Sequence, residues 1–97
     1  MVVDGSTSTA HARVVGPEFF GGVRPLLGRL PLAEEHAAGG RAVAVLSHAF
    51  WNRQFDSSPA VIGRQIEVDG LSATIVGVAP GSFDPDGGGE LWLSRGD

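Results

Sequence analysis

A small α+β fold is predicted, a mixed sheet with a β-hairpin at about residues 65–76 and one or two short helices at about 17–21 and 48–55. Three observations predict it. Two alternating apolar and polar segments flank an Asp-Gly pair, and one eight-residue segment carries aromatic residues four positions apart. The 97 residues also include 15 glycines and 6 prolines, which indicate many turns and short elements.

Composition and charge exclude several classes of function. The formal net charge of −4 disfavours binding to nucleic acid or to an anionic membrane surface, because both require a basic patch. The absence of cysteine excludes disulfides, thiolate metal sites and thiol catalysis. The longest wholly apolar run, Ala42 to Leu46, is far shorter than the roughly 20 residues of a membrane-spanning helix. The N-terminus lacks the features of a signal peptide. We therefore expect no membrane insertion by this chain and a cytoplasmic location if it is expressed alone.

The N-terminal half carries the weaker signals. Asp4 to Ser8 are small and polar, and we expect a disordered N-terminus over residues 1–8, with the domain covering residues 9–97. Thr9 to Val15 predicts a strand. Pro17 is suited to the first position of the short helix at 17–21, which two glycines end.

Two segments before the middle of the chain favour irregular structure. Val23 to Gly28 contains a central proline, which favours an edge strand or an extended loop over a central strand. Residues 31–41 predict a surface loop, with a single helical turn at 33–37 as an option.

The middle of the chain predicts a strand followed by a helix. Ala42 to Leu46 is wholly apolar, as in a short buried strand. Ser47 follows and is a favoured N-cap residue for the helix at 48–55, which places Trp51 and Phe55 on one face. Leu46 and Trp51 have the spacing of a hydrophobic staple across that helix start.

The hairpin is the strongest local signal. Asp69-Gly70 suits a type I′ turn, because that turn requires positive φ at both central residues. A two-residue loop then pairs Val68 with Leu71 and Ile66 with Ala73. This register places the apolar side chains on one face and Glu67, Ser72 and Thr74 on the other. We expect the core to be formed through Trp51, Phe55, Ile66, Val68 and Ile75. After a loop, Leu91 to Leu93 forms a last short apolar segment.

Ser47 beside His48 is a candidate for nucleophilic catalysis. Adjacent helical residues point roughly 100° apart, so His48 is poorly placed to take the proton of Ser47. The flanking glycines of a nucleophile elbow are also missing. A helix cap explains Ser47 better. A small hydrolase or metal-dependent enzyme that uses Ser47, His48 and Glu34 or Glu35 stays an alternative hypothesis.

The other candidate sites are weaker. His11, His36 and His48 do not have a metal-ligand spacing. Asp84 to Glu90 resembles a calcium loop in its acids and glycines but lacks the EF-hand spacing. The sequence has no lysine and no phosphate-binding fingerprint. We therefore predict no catalytic residues, no metal or other cofactor, and no enzymatic activity.

A series of motifs runs through most of the chain. In order they are GPEFFGGVRPLLGR, AVAVLSHAFWNRQF, SPAVIGRQIEVDGLSATIVGVAPGSF and ELWL, over about residues 16–93. This order resembles the MacB-like periplasmic core domain of FtsX-like ABC-transporter permeases. The sequence departs from that pattern in a shorter corner before Gly22-Val23 and at Pro31, Ser58 and Ser94.

The resemblance implies a non-enzymatic domain on the periplasmic or extracytoplasmic face of the inner membrane. There it would couple movement of transmembrane helices to a partner or to substrate handling, while a separate ATPase subunit hydrolyses ATP. The implied partners are the rest of the permease, the ATPase subunit indirectly, and a periplasmic partner protein. The family domain is larger than 97 residues, so we expect this chain to be a fragment of it. A free-standing protein-interaction module is the second alternative.

Overall fold

The computed structural model describes residues 2–3, 6–7, 12–15, 19–20, 23–30, 42–68, 71–83 and 90–94. Within those ranges it shows one mixed sheet of eight short strands, one helix and a 3₁₀ turn, so the small α+β fold is confirmed. The strands are β1 (Val2–Val3), β2 (Ser6–Thr7), β3 (Ala12–Val14), β4 (Leu27–Gly28), β5 (Val43–Leu46), β6 (Gln65–Val68), β7 (Leu71–Val78) and β8 (Leu91–Ser94). The helix α1 is His48–Phe55 and the 3₁₀ turn is Pro59–Val61.

The longest strand, β7, organises the sheet. The strand order is β2-β1-β6-β7-β5-β8-β3, and β4 pairs with β7 off this path. Strand β5 pairs in parallel with one edge of β7. Strands β6 and then β4 pair antiparallel with its other edge. Beyond β5, the strand β8 runs antiparallel to β5 and parallel to β3. An eight-residue strand is long enough to hold two short partners in succession along one edge.

The predicted hairpin is confirmed with its predicted register. Val68 pairs with Leu71 and Ile66 pairs with Ala73 across β6 and β7. Ile66 and Ala73 are buried, whereas Glu67 and Ser72 are exposed on the other face. The Asp69-Gly70 turn lies outside the described residues. The second strand continues to Val78, beyond the predicted end at about residue 76, because its later residues pair with β4 and β5.

A β-bulge changes the side-chain alternation of β7. Ala44 of β5 pairs with Ile75, but the next residue, Val45, pairs with Gly77. Val76 is therefore the extra residue. As a result Ile75 and Val78, three positions apart, both face the core that α1 covers, and Val76 faces the opposite core.

The sheet is covered by apolar side chains on both faces. The helix-side core contains Phe50 and Trp51 of α1 packed on alternate residues of β5, β7 and β8, among them Ala44, Leu46, Ile75 and Leu91. The aromatic core, on the other face, contains Val15, Phe20, Val43, Val45, Val76, Ala79 and Trp92. All four residues of β5 are buried for this reason, as expected of a continuous apolar strand.

Helix α1 begins and ends where the sequence predicts. The backbone N–H of Phe50 donates to Ser47 Oγ at 3.1 Å, so Ser47 is the N-cap. Asp56 ends the helix in the left-handed conformation, with φ of 51°. Trp51 Nε1 donates to the carbonyl oxygen of Ser58 at 2.9 Å, which ties the helix to the following loop. Trp51 is buried, and Phe55 is half-buried against the same core.

The N-terminal predictions are met only in part. Strands β1 and β2 lie in the segment 1–8, where the sequence predicts disorder; they form an antiparallel pair, and β1 pairs with β6. Strand β3 falls within the predicted strand at 9–15. Of the predicted helix at 17–21, the structure describes residues 19–20, which form a turn. The predicted loop at 31–41 lies outside the described residues.

Candidate functional site

Three segments of the chain meet at the carboxyl ends of β5 and β7. These strands are parallel neighbours, so both end at the same edge of the sheet. Helix α1 follows β5, and a turn at 80–83 follows β7. Because β8 is antiparallel to β5, Glu90 precedes β8 at this edge, and the N–H of Ser47 donates to its carbonyl oxygen at 2.8 Å. We call this region the carboxyl edge.

Ser47 and His48, the residues of the alternative hydrolase hypothesis, make separate hydrogen bonds at this edge. Ser47 Oγ is buried and accepts the cap hydrogen bond, while His48 Nδ1 accepts from the side-chain amide of Asn52 at 3.2 Å. In the described part of the chain, Ser47 and His48 share no hydrogen bond. Asn52 in turn accepts from the hydroxyl of Ser57 through Oδ1. Glu34 and Glu35, the other residues of the hydrolase hypothesis, lie outside the described residues.

Most residues of the metal hypotheses lie outside the part of the chain that the structure describes. Across the residues that the structure describes, no group of three or more histidine, aspartate and glutamate side chains could hold a metal ion. His11 and His36 lie outside those residues. In the calcium-like segment at 84–90, the structure describes Glu90, whose carboxylate pairs with the guanidinium of Arg53.

That ion pair attaches the start of β8 to the helix. The side chain of Glu90 is 16% exposed and that of Arg53 is 61% exposed. The Arg53 guanidinium also lies over the ring of Phe50, with its Cζ 5.5 Å from the ring centroid. Partly exposed pairs of this kind contribute about 0–1 kcal/mol, so the pair positions α1 more than it stabilises the fold.

Four aromatic rings hold the turn at 80–83 against the sheet. Phe19, Phe20, Phe83 and Trp92 form one cluster with ring centroids 5.0 to 6.0 Å apart. Trp92 and Phe20 are buried, and Phe19 and Phe83 are half-buried at its rim. The N–H of Phe83 donates to the carbonyl oxygen of Pro80 at 3.0 Å. These contacts give the turn a defined position.

An open groove of about 450 Å³ lies beside this cluster, lined by Val23, Arg24, Pro80, Ser82 and Phe83. Its two walls are the segment before β4 and the turn after β7. The N–H of Leu26 donates to the carbonyl oxygen of Val78 at 2.7 Å, and that of Ala79 donates to Leu46 at 2.8 Å. Both walls are therefore anchored to the same end of β7.

This groove was not predicted from the sequence. Its walls are more than fifty positions apart in the chain, and the pairing of β4 with β7 joins them. The sequence feature that relates to the groove is a pair of glycines, Gly28 and Gly77, at which the two strands approach closely. A Cβ atom at Gly28 would lie closer than 3.0 Å to the carbonyl oxygen of Val76, and one at Gly77 would lie as close to that of Arg29. Gly77 is also the residue that follows the bulge in β7.

Comparison with known proteins identifies the chain at the level of family. The family model of the MacB-like periplasmic core domain matches residues 1–95. No curated protein and no solved structure matches. No helix in the described ranges has the length and apolar character to cross a membrane. The match extends over nearly the whole chain and confirms the resemblance drawn from the motifs. The chain belongs to the MacB-like periplasmic core domain family of ABC-transporter permeases.

Proposed function

We propose that this chain acts on the extracytoplasmic side of the membrane and couples movements of permease helices to a partner protein or to substrate handling. The single observation that carries this proposal is the family match over residues 1–95. The proposed partners are the rest of the permease, a periplasmic partner protein and, indirectly, an ATPase subunit. We propose no enzymatic role, since the sequence has no phosphate-binding motif for hydrolysing ATP itself.

The packing supports a mechanical role. Strand β5 is buried on both faces, and β7 is hydrogen-bonded to β4, β5 and β6. A sheet clamped by two apolar cores deforms little, because close-packed interiors have low compressibility. A push at one edge of the sheet therefore moves the opposite edge with it. This is the property that a domain between moving helices and a partner requires.

Copurification tests the assembly. An affinity tag on this chain, expressed from its own locus, should recover a membrane-spanning permease polypeptide and an ATPase subunit from a detergent extract. Recovery of the tagged chain from the soluble fraction alone, without either polypeptide, would contradict the permease assignment and favour a free-standing interaction module. Mass spectrometry of the eluted polypeptides distinguishes the two results.

Loosening the domain tests the coupling. In the assembled complex, Trp92→Ala should lower transport while ATP hydrolysis continues, because the aromatic core no longer holds the sheet rigidly. Val14→Ala is the matched control, since Val14 is an exposed apolar residue on β3. Phe19→Leu is the milder variant if Trp92→Ala prevents assembly. Transport that both core variants leave unchanged would exclude a coupling role.

A further inference from the structure

The groove at the carboxyl edge combines one cationic side chain with apolar walls. Arg24 is exposed at its rim. Among the described residues, the Arg24 guanidinium has no hydrogen bond or ion pair, in contrast to Arg53, which is paired with Glu90. A guanidinium presents its donors in a planar fork that fits a carboxylate with two parallel hydrogen bonds. The groove therefore offers a position for a carboxylate.

The apolar part of the groove is held in place before any ligand arrives. Phe83 is fixed by ring contacts with Phe19, Phe20 and Trp92. The segment that carries Val23 is fixed by a hydrogen bond from its N–H to the carbonyl oxygen of Phe20 at 2.9 Å. Binding to rigid walls costs less conformational entropy than binding to mobile ones. Phe83 and Pro80 can thus take an apolar side chain without rearrangement.

We propose that this groove binds a segment of a partner protein in which an aspartate or glutamate stands beside an aliphatic or aromatic residue. The carboxylate pairs with Arg24, and the apolar side chain packs on Phe83 and Pro80. The proposal rests on the proposed function, because it names the chemistry of the partner that the domain contacts.

Two features favour such a segment as the occupant. The net charge of −4 disfavours docking of an acidic partner elsewhere, so Arg24, which has no ion pair within the described ranges, fixes where and in which orientation that partner docks. The groove is also open on one side. Small-molecule sites usually enclose 70–90% of their ligand, whereas a protein segment needs only a few anchored side chains.

The test is a titration of the ¹⁵N-labelled 97-residue chain with a synthetic peptide of alternating glutamate and leucine. The expected result is saturable amide shifts at Val23, Arg24, Ser82 and Phe83, with affinity that falls as salt is added. The same peptide with glutamine or lysine in place of glutamate should bind about tenfold more weakly or not at all. Equal binding of all three peptides, or no shifts in the groove, would overturn the proposal.

Variants sharpen the test. Arg24→Glu should weaken binding of the glutamate peptide about tenfold or more, and Arg24→Lys should retain part of the affinity. Arg64→Glu is the matched control, because it makes the same change in net charge at an exposed position outside the groove. Circular dichroism checks that each variant is folded. If Arg24→Glu and Arg64→Glu lower the affinity for the peptide equally, the effect comes from net charge alone and the proposal is overturned.

Two further probes separate other occupants. Hexanoate, which carries a carboxylate on an apolar chain, should bind much more weakly than the peptide; equal affinity would assign the groove to a small acid. If, without peptide, the amide shifts of the groove residues change with the concentration of the chain itself, the occupant of the groove is a second copy of the chain. If peptide binding fails while the tagged chain still copurifies with permease and ATPase, the groove proposal fails and the proposed function stands. Peptide binding in the groove without copurification of permease and ATPase would overturn the proposed function and leave the binding chemistry of the groove standing.

Discussion

Gly28 and Gly77 face each other across β4 and β7, and neither position has room for a Cβ atom. The nearest atom to each added carbon would be a backbone carbonyl oxygen, that of Val76 for Gly28 and that of Arg29 for Gly77. Gly28 also has a φ of +67°, which side chains rarely adopt. This close approach holds the segment before β4 against the end of β7, and thereby forms the groove.

Substituting these glycines should destabilise the chain, and three variants separate the causes. Gly77→Ala introduces the clash alone, Gly28→Ala adds the strain of positive φ, and Gly63→Ala introduces strain alone, with φ of +93° and open space around it. We expect Gly63→Ala to cost about 1 kcal/mol and Gly28→Ala to cost about 2 kcal/mol or more. Urea unfolding measures all three. A Gly77→Ala chain as stable as the original would contradict the close approach.

Removing the helix cap should weaken the chain without affecting any catalysis. In Ser47→Ala the N–H of Phe50 loses its acceptor, and the free energy of unfolding should fall by about 0.5–2 kcal/mol. Ser47→Thr keeps a hydroxyl and should retain most of the stability. The measurement is urea unfolding followed by circular dichroism at 222 nm. Equal losses for both variants would show that packing, and not the cap, accounts for Ser47.

The ion pair between Arg53 and Glu90 should show a small, salt-dependent coupling. A double-mutant cycle of Arg53→Ala and Glu90→Ala should give about 1 kcal/mol or less at low salt. The cycle removes the separate contact of Arg53 with the Phe50 ring from the result. Repeating it in 1 M salt should abolish most of the coupling. A coupling that salt leaves unchanged would mean that the pair is not governed by charge attraction.

Truncating a buried side chain of the aromatic core should lower the free energy of unfolding as much as truncating one in the helix-side core. Trp92 is 1% exposed, and Trp92→Ala should cost about 3–5 kcal/mol. Val14, at 55% exposure, is the control, and Val14→Ala should change stability by less than about 0.5 kcal/mol. Thermal unfolding followed by near-ultraviolet circular dichroism measures both. A small effect at Trp92 would mean that the aromatic core is loosely packed.

Local patterns predicted the local elements well. The Asp-Gly signal and the alternation beside it predicted the register of β6 and β7, and the capping serine predicted the start of α1. Turn chemistry and capping act over a few residues, so a sequence displays them directly. The apolar run before Ser47 likewise predicted a buried strand, and its burial on both faces follows from the same run.

The candidate site could not be predicted in the same way. Val23 and Phe83 line the same groove because two strands far apart in the chain pair at Gly28 and Gly77, and the sequence does not indicate that these two glycines are partners. The pairing of Arg53 with Glu90 is equally non-local. The bulge at Val76 depends on the register with β5, which the hairpin pattern alone does not determine.

The bulge has a consequence for how the length of the chain can vary. Because Val76 is an extra residue, the two halves of β7 alternate out of phase, and each half supplies the correct side chain to the correct core. Deleting Val76 would bring the halves into phase and leave Val78 facing the helix, but Gly77 would then take the place of Val76 on the aromatic-core face. An insertion at the hairpin tip leaves both phases intact. Related sequences should therefore differ in length at the tip and keep the spacing between Ile75 and Val78 constant.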